Sequence, residues 1–289
     1  MCFATTRVED AWSVIYIFMK MMRCAMTEEC RERAVLSLRD GKTYIIPAEG
    51  EHSKVAGLGV VDASSIRRAE PGEVLELCGE PFVVLESIGL ADALALVERR
   101  AQIITVKDIG PIVARLGIRS GAVVAEVGGG SGYLTMALAF IVGNDGKIVT
   151  YERDARAKEL IWRNLQKAGF ANVDLENEDP IDTRGNCDCD AFVADVPNPG
   201  DLLPFAESSL KPGAWAAFYT PSMNQVESVV RVLRMRGWHW TYTIETLERQ
   251  LVVGEMGVRP SFEMLGHTGY LTFARWLGSG AAERLAAKK

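Results

Sequence analysis

From Ala34 onward, apolar and polar residues alternate at the period of a β-strand. Ala34-Val35-Leu36-Ser37-Leu38 and Thr43-Tyr44-Ile45-Ile46 flank a tight Arg39-Asp40-Gly41-Lys42 turn, which predicts a hairpin. Short strands over Val74–Leu77 and Phe82–Leu85 extend a small β-rich region. From about Leu90 the pattern changes to helical stretches alternating with apolar runs. Helices are expected near 91–99 and over 108–116, 133–141 and 155–168, with strands over 122–127, 147–152, 173–176, 190–195, 214–219 and 269–276. Strands spaced by helices of that length predict an α/β fold with a mostly parallel, doubly wound sheet. The chain then divides into an N-terminal extension over 1–26, which a mis-assigned start would also explain, a small β-rich domain over 27–89, and an α/β domain over 90–289.

Composition narrows the partners. No apolar run reaches the ~20 residues of a membrane span. The longest, Ala11 to Met22, contains Lys20 and follows Glu9 and Asp10, where a secretory signal would carry positive charge. A soluble, cytoplasmic protein with no membrane contact is expected. The net charge of −6 argues against broad non-specific nucleic-acid binding. Residues 1–89 carry 10 Lys and Arg against 14 Asp and Glu, and residues 90–289 carry 22 against 24, so neither part is a basic module. A polyanion would have to be held by local clusters, of which Arg67-Arg68 and Arg99-Arg100 with Lys107 are the candidates. The 6 cysteines form no C-x-x-C pair, and Cys187-Asp188-Cys189 reads either as half of a soft-metal site or as two incidental loop thiols. His52, His239 and His267 show no metal spacing, and no metal is expected.

The chemistry concentrates where a buried strand turns into a helix. Gly128-Gly129-Gly130-Ser131-Gly132 lets backbone approach a ligand, and the helix start supplies free N–H groups. The dinucleotide fingerprint G-x-G-x-x-G fails in every register, because its third glycine falls on Tyr133 or Thr135. What remains, Glu126-x-Gly128-x-Gly130-x-Gly132, resembles the loop of class I S-adenosylmethionine methyltransferases; nucleotide binding without methyl transfer is the alternative. Glu126, Gly128, Gly130, Ser131 and Gly132 are therefore cofactor-binding candidates. Glu152 ends the next strand, 20 residues after Gly132, where a carboxylate can take both ribose hydroxyls. Asp179 follows the third strand, placed to accept from the cofactor's adenine amino group. Asp195, in Asp195-Val196-Pro197-Asn198-Pro199, ends the fourth strand at the sheet edge where ligands bind in open α/β folds. The prolines stiffen that segment, and a loop-capping Asx turn is the competing reading of Asp195.

A wider set of motifs then points to a family. Gln102-Ile103-Ile104 with Lys107-Asp108-Ile109-Gly110, the glycine loop, Asp195-Val196-Pro197-x-Pro199, Tyr219-Thr220-Pro221 with Asn224-Gln225, Arg259-Pro260, and His267-Thr268-Gly269-Tyr270-Leu271-Thr272-Phe273-Ala274 resemble the tRNA (adenine-N1)-methyltransferases. The resemblance implies a Rossmann-like class I methyltransferase sheet behind a small β-domain, S-adenosylmethionine as cofactor, tRNA as partner, and a homotetramer. It implies methyl transfer to N1 of a T-loop adenine, at position 58 and in archaeal forms sometimes 57. Asp195 would then accept a hydrogen bond from the target adenine's N6 amino group, Gln102 would join the cofactor site, and Arg259 and His267 the substrate site. The sequence departs from the family at Ala101, Thr105 and Val106, where Thr, Tyr and Pro are usual, and at Gly200, where Trp is usual. The rival readings are a class I methyltransferase for isoaspartyl protein or a corrinoid precursor, and a non-catalytic tRNA-binding subunit. The last predicts a damaged glycine loop or a lost Asp, and neither occurs.

Overall fold

The computed structural model describes residues 33–46, 50–100, 102–176, 179–181, 187–254 and 257–280; the extension at 1–26 lies outside them. Internal contacts divide the chain into two compact units, Met1–Ala95 and Leu96–Lys289. In the first, β1 (Arg33–Ser37), β2 (Thr43–Ile46), β3 (His52–Val55), β4 (Gly59–Asp62), α1 (Ala63–Arg68), β5 (Val74–Leu77), β6 (Glu80–Leu85) and α2 (Leu90–Ala95) follow in order. The expected hairpin forms, with Val35 opposite Tyr44. It joins an antiparallel sheet of order β2-β1-β6-β5, while β3 and β4 form a separate ribbon. Val35, Ile46, Ile66 and Val84 are fully buried and make this unit's own core. Asp62 starts α1 by accepting from the Ser65 N–H, a cap that satisfies one of the helix's free donors.

The second unit contains α3 (Val106–Leu116), β7 (Val123–Val127), α4 (Tyr133–Val142), β8 (Lys147–Tyr151), α5 (Ala155–Lys167), β9 (Val173–Glu176), β10 (Cys189–Ala194), α6 (Leu203–Ser209), β11 (Leu210–Thr220), α7 (Met223–Met235), β12 (His239–Glu245), β13 (Leu251–Gly254), β14 (Gly257–Pro260) and β15 (Tyr270–Arg275). Seven strands form one sheet in the order β12-β15-β11-β10-β7-β8-β9. Every pairing from β11 to β9 is parallel, and β15 inserts antiparallel between β11 and β12. Strands covered on both faces must be apolar throughout, and Cys189-Asp190-Ala191-Phe192-Val193-Ala194 nearly is, with Phe192 packed between Phe205 and Phe218. Asp190 is the exception, and its carboxylate accepts from Lys211 Nζ and from the Val123 N–H. The order reverses between β7 and β10, so the ends of those two strands border the crevice where such sheets bind ligands.

Candidate active site

The glycine loop closes over that crevice because at two of its positions nothing larger fits. Gly128 sits at φ +90, and a Cβ there would collide with the Asp195 carbonyl. A Cβ on Gly129 would stand 2.7 Å from both Ile161 and Thr150. Gly130, at φ +57, differs, since a Cβ there would meet nothing within 4 Å. That open space is the cradle a cofactor would occupy. Gly132, also left-handed, leads directly into α4, whose first turn presents its free N–H groups to the loop.

Beneath the loop lies Glu126, 1% exposed. One carboxyl oxygen accepts from Thr135 Oγ1 at 2.6 Å and Thr150 Oγ1 at 2.8 Å. The other is buried with no partner among the described residues. Burial pushes its pKa up to about 7, against the two threonine bonds and with the charges of Asp195 and Glu152 adding to the rise. Glu126 lines neither cavity of the crevice and sits beneath the loop, held to α4 and β8 by its two threonine bonds. Asn164 braces the loop from α5, donating to the Ser131 and Glu98 carbonyls and accepting from the Glu98 N–H.

Two cavities meet at Gly128 and Asp195. The larger, about 270 Å³, is lined by Tyr151, Glu152, Asp179, Ile181 and Val196 among others. Glu152 accepts from the Gly130 N–H at 3.0 Å and from the Asp154 N–H at 2.9 Å, with lone pairs left on both oxygens. Asp179 caps its own turn through the Ile181 N–H. The smaller cavity is lined by Gln102, Ile104, Gly130, Ser131, Leu134 and Asp195 among others. Ser131 Oγ accepts from the Arg100 N–H, and Gln102 Nε2 reaches the Thr268 carbonyl at 3.4 Å. Asp195 lies between the two, with no side-chain hydrogen bond among the described residues, and burial alone pushes its pKa up to about 6. No Asx turn forms there. Two carboxylates, Glu152 and Asp179, on one cavity and open space above Gly130 are groups that could hold an adenosyl moiety.

The other expected residues lie apart from this pair of cavities. His267 is held on both ring nitrogens, Nδ1 to Glu245 Oε1 at 2.7 Å and Nε2 to the Pro221 carbonyl at 2.8 Å. Both partners accept, so both nitrogens donate, and the two bonds raise the pKa of this imidazolium. It ties the end of β11 to the end of β12. Arg259 stacks on Phe262 at 4.4 Å, on an exposed hairpin. Neither residue lines the crevice.

Lys107 is no surface phosphate ligand. Its side chain is 10% exposed and its Nζ donates to both Asp108 oxygens, to the Thr246 carbonyl and hydroxyl, and to Thr268 Oγ1. Asp108, fully buried, also accepts from the Thr105, Thr246 and Thr268 hydroxyls. Arg67 donates to the Gly50 carbonyl, Arg99 lies over the Tyr133 ring at 5.0 Å, and Arg100 pairs with Glu98 at 3.5 Å. Cys187 and Cys189 are joined by a disulfide, which replaces both readings of them. No cluster of three or more metal-ligating side chains occurs among the described residues. Nor is any described helix long and apolar enough to cross a membrane.

A parallel sheet with a glycine loop at its switch point, an acidic residue closing the next strand and a carboxylate ending the fourth define a Rossmann-like methyltransferase. The chain belongs to the family of the tRNA methyltransferase complex GCD14 subunit, whose model matches residues 92–256. A Methanocaldococcus jannaschii protein described as a tRNA (adenine(57)-N(1)/adenine(58)-N(1))-methyltransferase is 32% identical over 262 residues, covering 81% of this chain and 92% of its own. The crystal structure of a tRNA (m1A58) methyltransferase from Aquifex aeolicus superposes with a TM-score of 0.67 at 25% identity, covering 88% of this chain and 99% of the other. That of an S-adenosylmethionine-dependent O-methyltransferase from Thermotoga maritima gives 0.72 at 26%, covering 86% and 94%.

Proposed function

We propose that this protein transfers a methyl group from S-adenosylmethionine to N1 of an adenine in the tRNA T-loop, at position 58 and in some substrates 57. The observation that carries the reading is the partner-free carboxylate of Asp195 at the junction of two cavities. S-adenosylmethionine supplies an electrophilic methyl group on a sulfonium. Glu152 would accept from the ribose hydroxyls and Asp179 from the cofactor's adenine amino group, with the Gly128–Gly132 backbone leaving room for the remainder. The target adenine, taken out of the tRNA fold, enters from the side of Gln102 and Ile104. Ionised Asp195 then accepts from its N6 amino group. As N1 forms its new bond, positive charge spreads onto the ring, and a preorganised carboxylate in a site shielded from water opposes that charge at no reorganisation cost. The protein otherwise positions a nucleophile that belongs to the substrate.

The same reading includes assembly as a homotetramer and a cytoplasmic location, where tRNA is processed. Supporting self-association, the β13–β14 hairpin exposes Leu251 at 64%, Val253 at 78% and Val258 at 64%. Labelled S-adenosylmethionine with purified protein and a tRNA transcript tests the reaction, with reverse-transcription stops read along the T-loop. Stops at 57 or 58 that vanish in Asp195→Ala are expected; label without such stops would replace the acceptor.

A further inference from the structure

The sheet face under α3 is covered along only part of its length. The helix begins beside Thr246 and Thr268, at the carboxyl edge, and stops where Gly117 turns left-handed at φ +67. Past that end, the row His239–Arg275–Trp215 crosses β12, β15 and β11. Arg275 stands 5.6 Å from the Trp215 ring and 5.6 Å from the Trp240 ring. Arg115, from the last turn of α3, lies 5.5 Å from the Tyr242 ring and 5.6 Å from Phe273. Among the described residues neither guanidinium has a carboxylate partner. Arg275 donates through Nε to the Gly213 carbonyl, and Arg115 through Nη1 to the Tyr242 hydroxyl. Most of both forks stays available.

Trp240 is the unusual member. The β12–β15 register shifts between His239 and Tyr242, and at that bulge Trp240 adopts φ +48 with 62% of its surface exposed. A bulky residue in the left-handed region is strained, and strain of this kind persists at functional positions. Core packing does not account for it, because the indole lies outside the core. Beside it Thr241 Oγ1 is buried without a partner among the described residues, and both residues line one open depression with Trp215, Tyr242 and Arg275. Unneutralised guanidinium groups interleaved with rings, on a chain of net charge −6, suit a polyanion that also offers flat bases.

We propose that this depression is a second RNA contact, at which an unpaired base stacks on Trp240 while the adjoining phosphates meet Arg275 and Arg115. It rests on the tRNA reading above for the identity of that RNA. From Trp215 to Thr220 the strand advances by about 16 Å at ~3.3 Å per residue, so one tRNA can reach both the crevice and the patch.

The test uses the full chain and a fluorescein-labelled tRNA transcript, read by anisotropy across a salt series. Glycine accepts the left-handed backbone, so Trp240→Gly keeps the bulge, and its melting temperature should equal or exceed that of wild type. Its tRNA Kd should weaken roughly tenfold, within the range for losing one stacked base. The tRNA KM should rise likewise, with kcat and S-adenosylmethionine affinity unchanged. Arg275→Gln should weaken binding and reduce the salt slope by about one unit. Unchanged Kd and slope in both variants overturn the proposal. So does a smaller sedimenting species in Trp240→Gly, which would assign the patch to a second copy of the chain, and so does a wild-type protein that fails to bind the transcript. If wild type binds tRNA through Trp240 and Arg275 yet methylates none, the contact stands and the methyl-transfer reading falls.

Discussion

Replacing Glu126 by Gln should make the second unit less sensitive to a rise in pH from mildly acidic to neutral. In the fold this carboxyl titrates at about 7 against an ordinary 4.5, because burial disfavours its charged form. A group whose pKa is raised by folding stabilises fully below the unfolded pKa, and that contribution is lost as pH rises through the folded one. The span of 4.5 to about 7 corresponds to about 3 kcal/mol in all, at 1.36 kcal/mol per unit. Between pH of about 5.5 and about 8.5, wild type should lose about 2 kcal/mol from this group. Glutamine resembles the protonated acid, since its amide oxygen can still accept from Thr135 and Thr150, and it does not titrate. Other titrating groups are common to both proteins and cancel in the difference. Of the six tryptophans only Trp12 lies in the first unit, while Trp162, Trp215, Trp238, Trp240 and Trp276 belong to the second, so intrinsic fluorescence follows mainly the second unit's melting. At ~2–4 °C per kcal/mol, the gap between variant and wild type should move by about 4–8 °C across that range in favour of the variant. A gap that stays constant with pH would mean Glu126 does not change its charge there, and the account of the loop's support would be wrong.

Asp195→Ala should lower the rate of methyl transfer by about 10²–10³ with S-adenosylmethionine affinity within a few-fold of wild type; activity within tenfold removes Asp195 from the mechanism. Because its carboxyl titrates at about 6, transfer should fall as pH drops through that value while the site is charged and competent above it, and Asp195→Asn should flatten that acidic limb. Gly130→Val should fold, at about 1–2 kcal/mol of backbone strain, yet fail to bind S-adenosylmethionine, whereas retained binding in a calorimetric titration would put the ligand elsewhere. Lys107→Met should destabilise by about 3–5 kcal/mol, leaving Asp108 buried and unpaired, with the salt slope of tRNA binding unaltered; a changed slope at constant melting temperature would return Lys107 to the RNA surface.

What the sequence makes legible follows the range of the forces involved. The run from β7 through the glycine loop into α4 is local: an apolar strand, glycines in a tight or left-handed loop, and a helix apolar on nearly every face. Asp195 was readable from its place after a buried strand. The role of Lys107 was not, because its partners Thr246 and Thr268 stand 139 and 161 residues away, and a Lys-Asp pair looks like solvated surface until they arrive. The burial of Glu126 under the loop was not legible either, since its hydroxyl partners Thr135 and Thr150 come from the following helix and strand. The ribbons β3–β4 and β13–β14 escaped notice: β13 and β14 bury nothing in the chain itself, so no alternation of buried and exposed positions marks them. In β12 the bulge at Trp240 breaks the period that would have announced it.

Gly269 faces the Tyr219 ring so closely that a methyl group in place of its hydrogen would stand inside the ring's own contact radius. Its neighbours His267 and Thr268 close the adjoining strand ends and the Lys107–Asp108 knot. The most distinctive run in the chain thus records a problem of space and joinery, solved once for the architecture. A descendant that exchanged Asp195 for an inert residue would be under no pressure from folding to alter that run. It would keep the family's handwriting intact, so that run by itself says nothing about whether the proposed Asp195 chemistry is still in place.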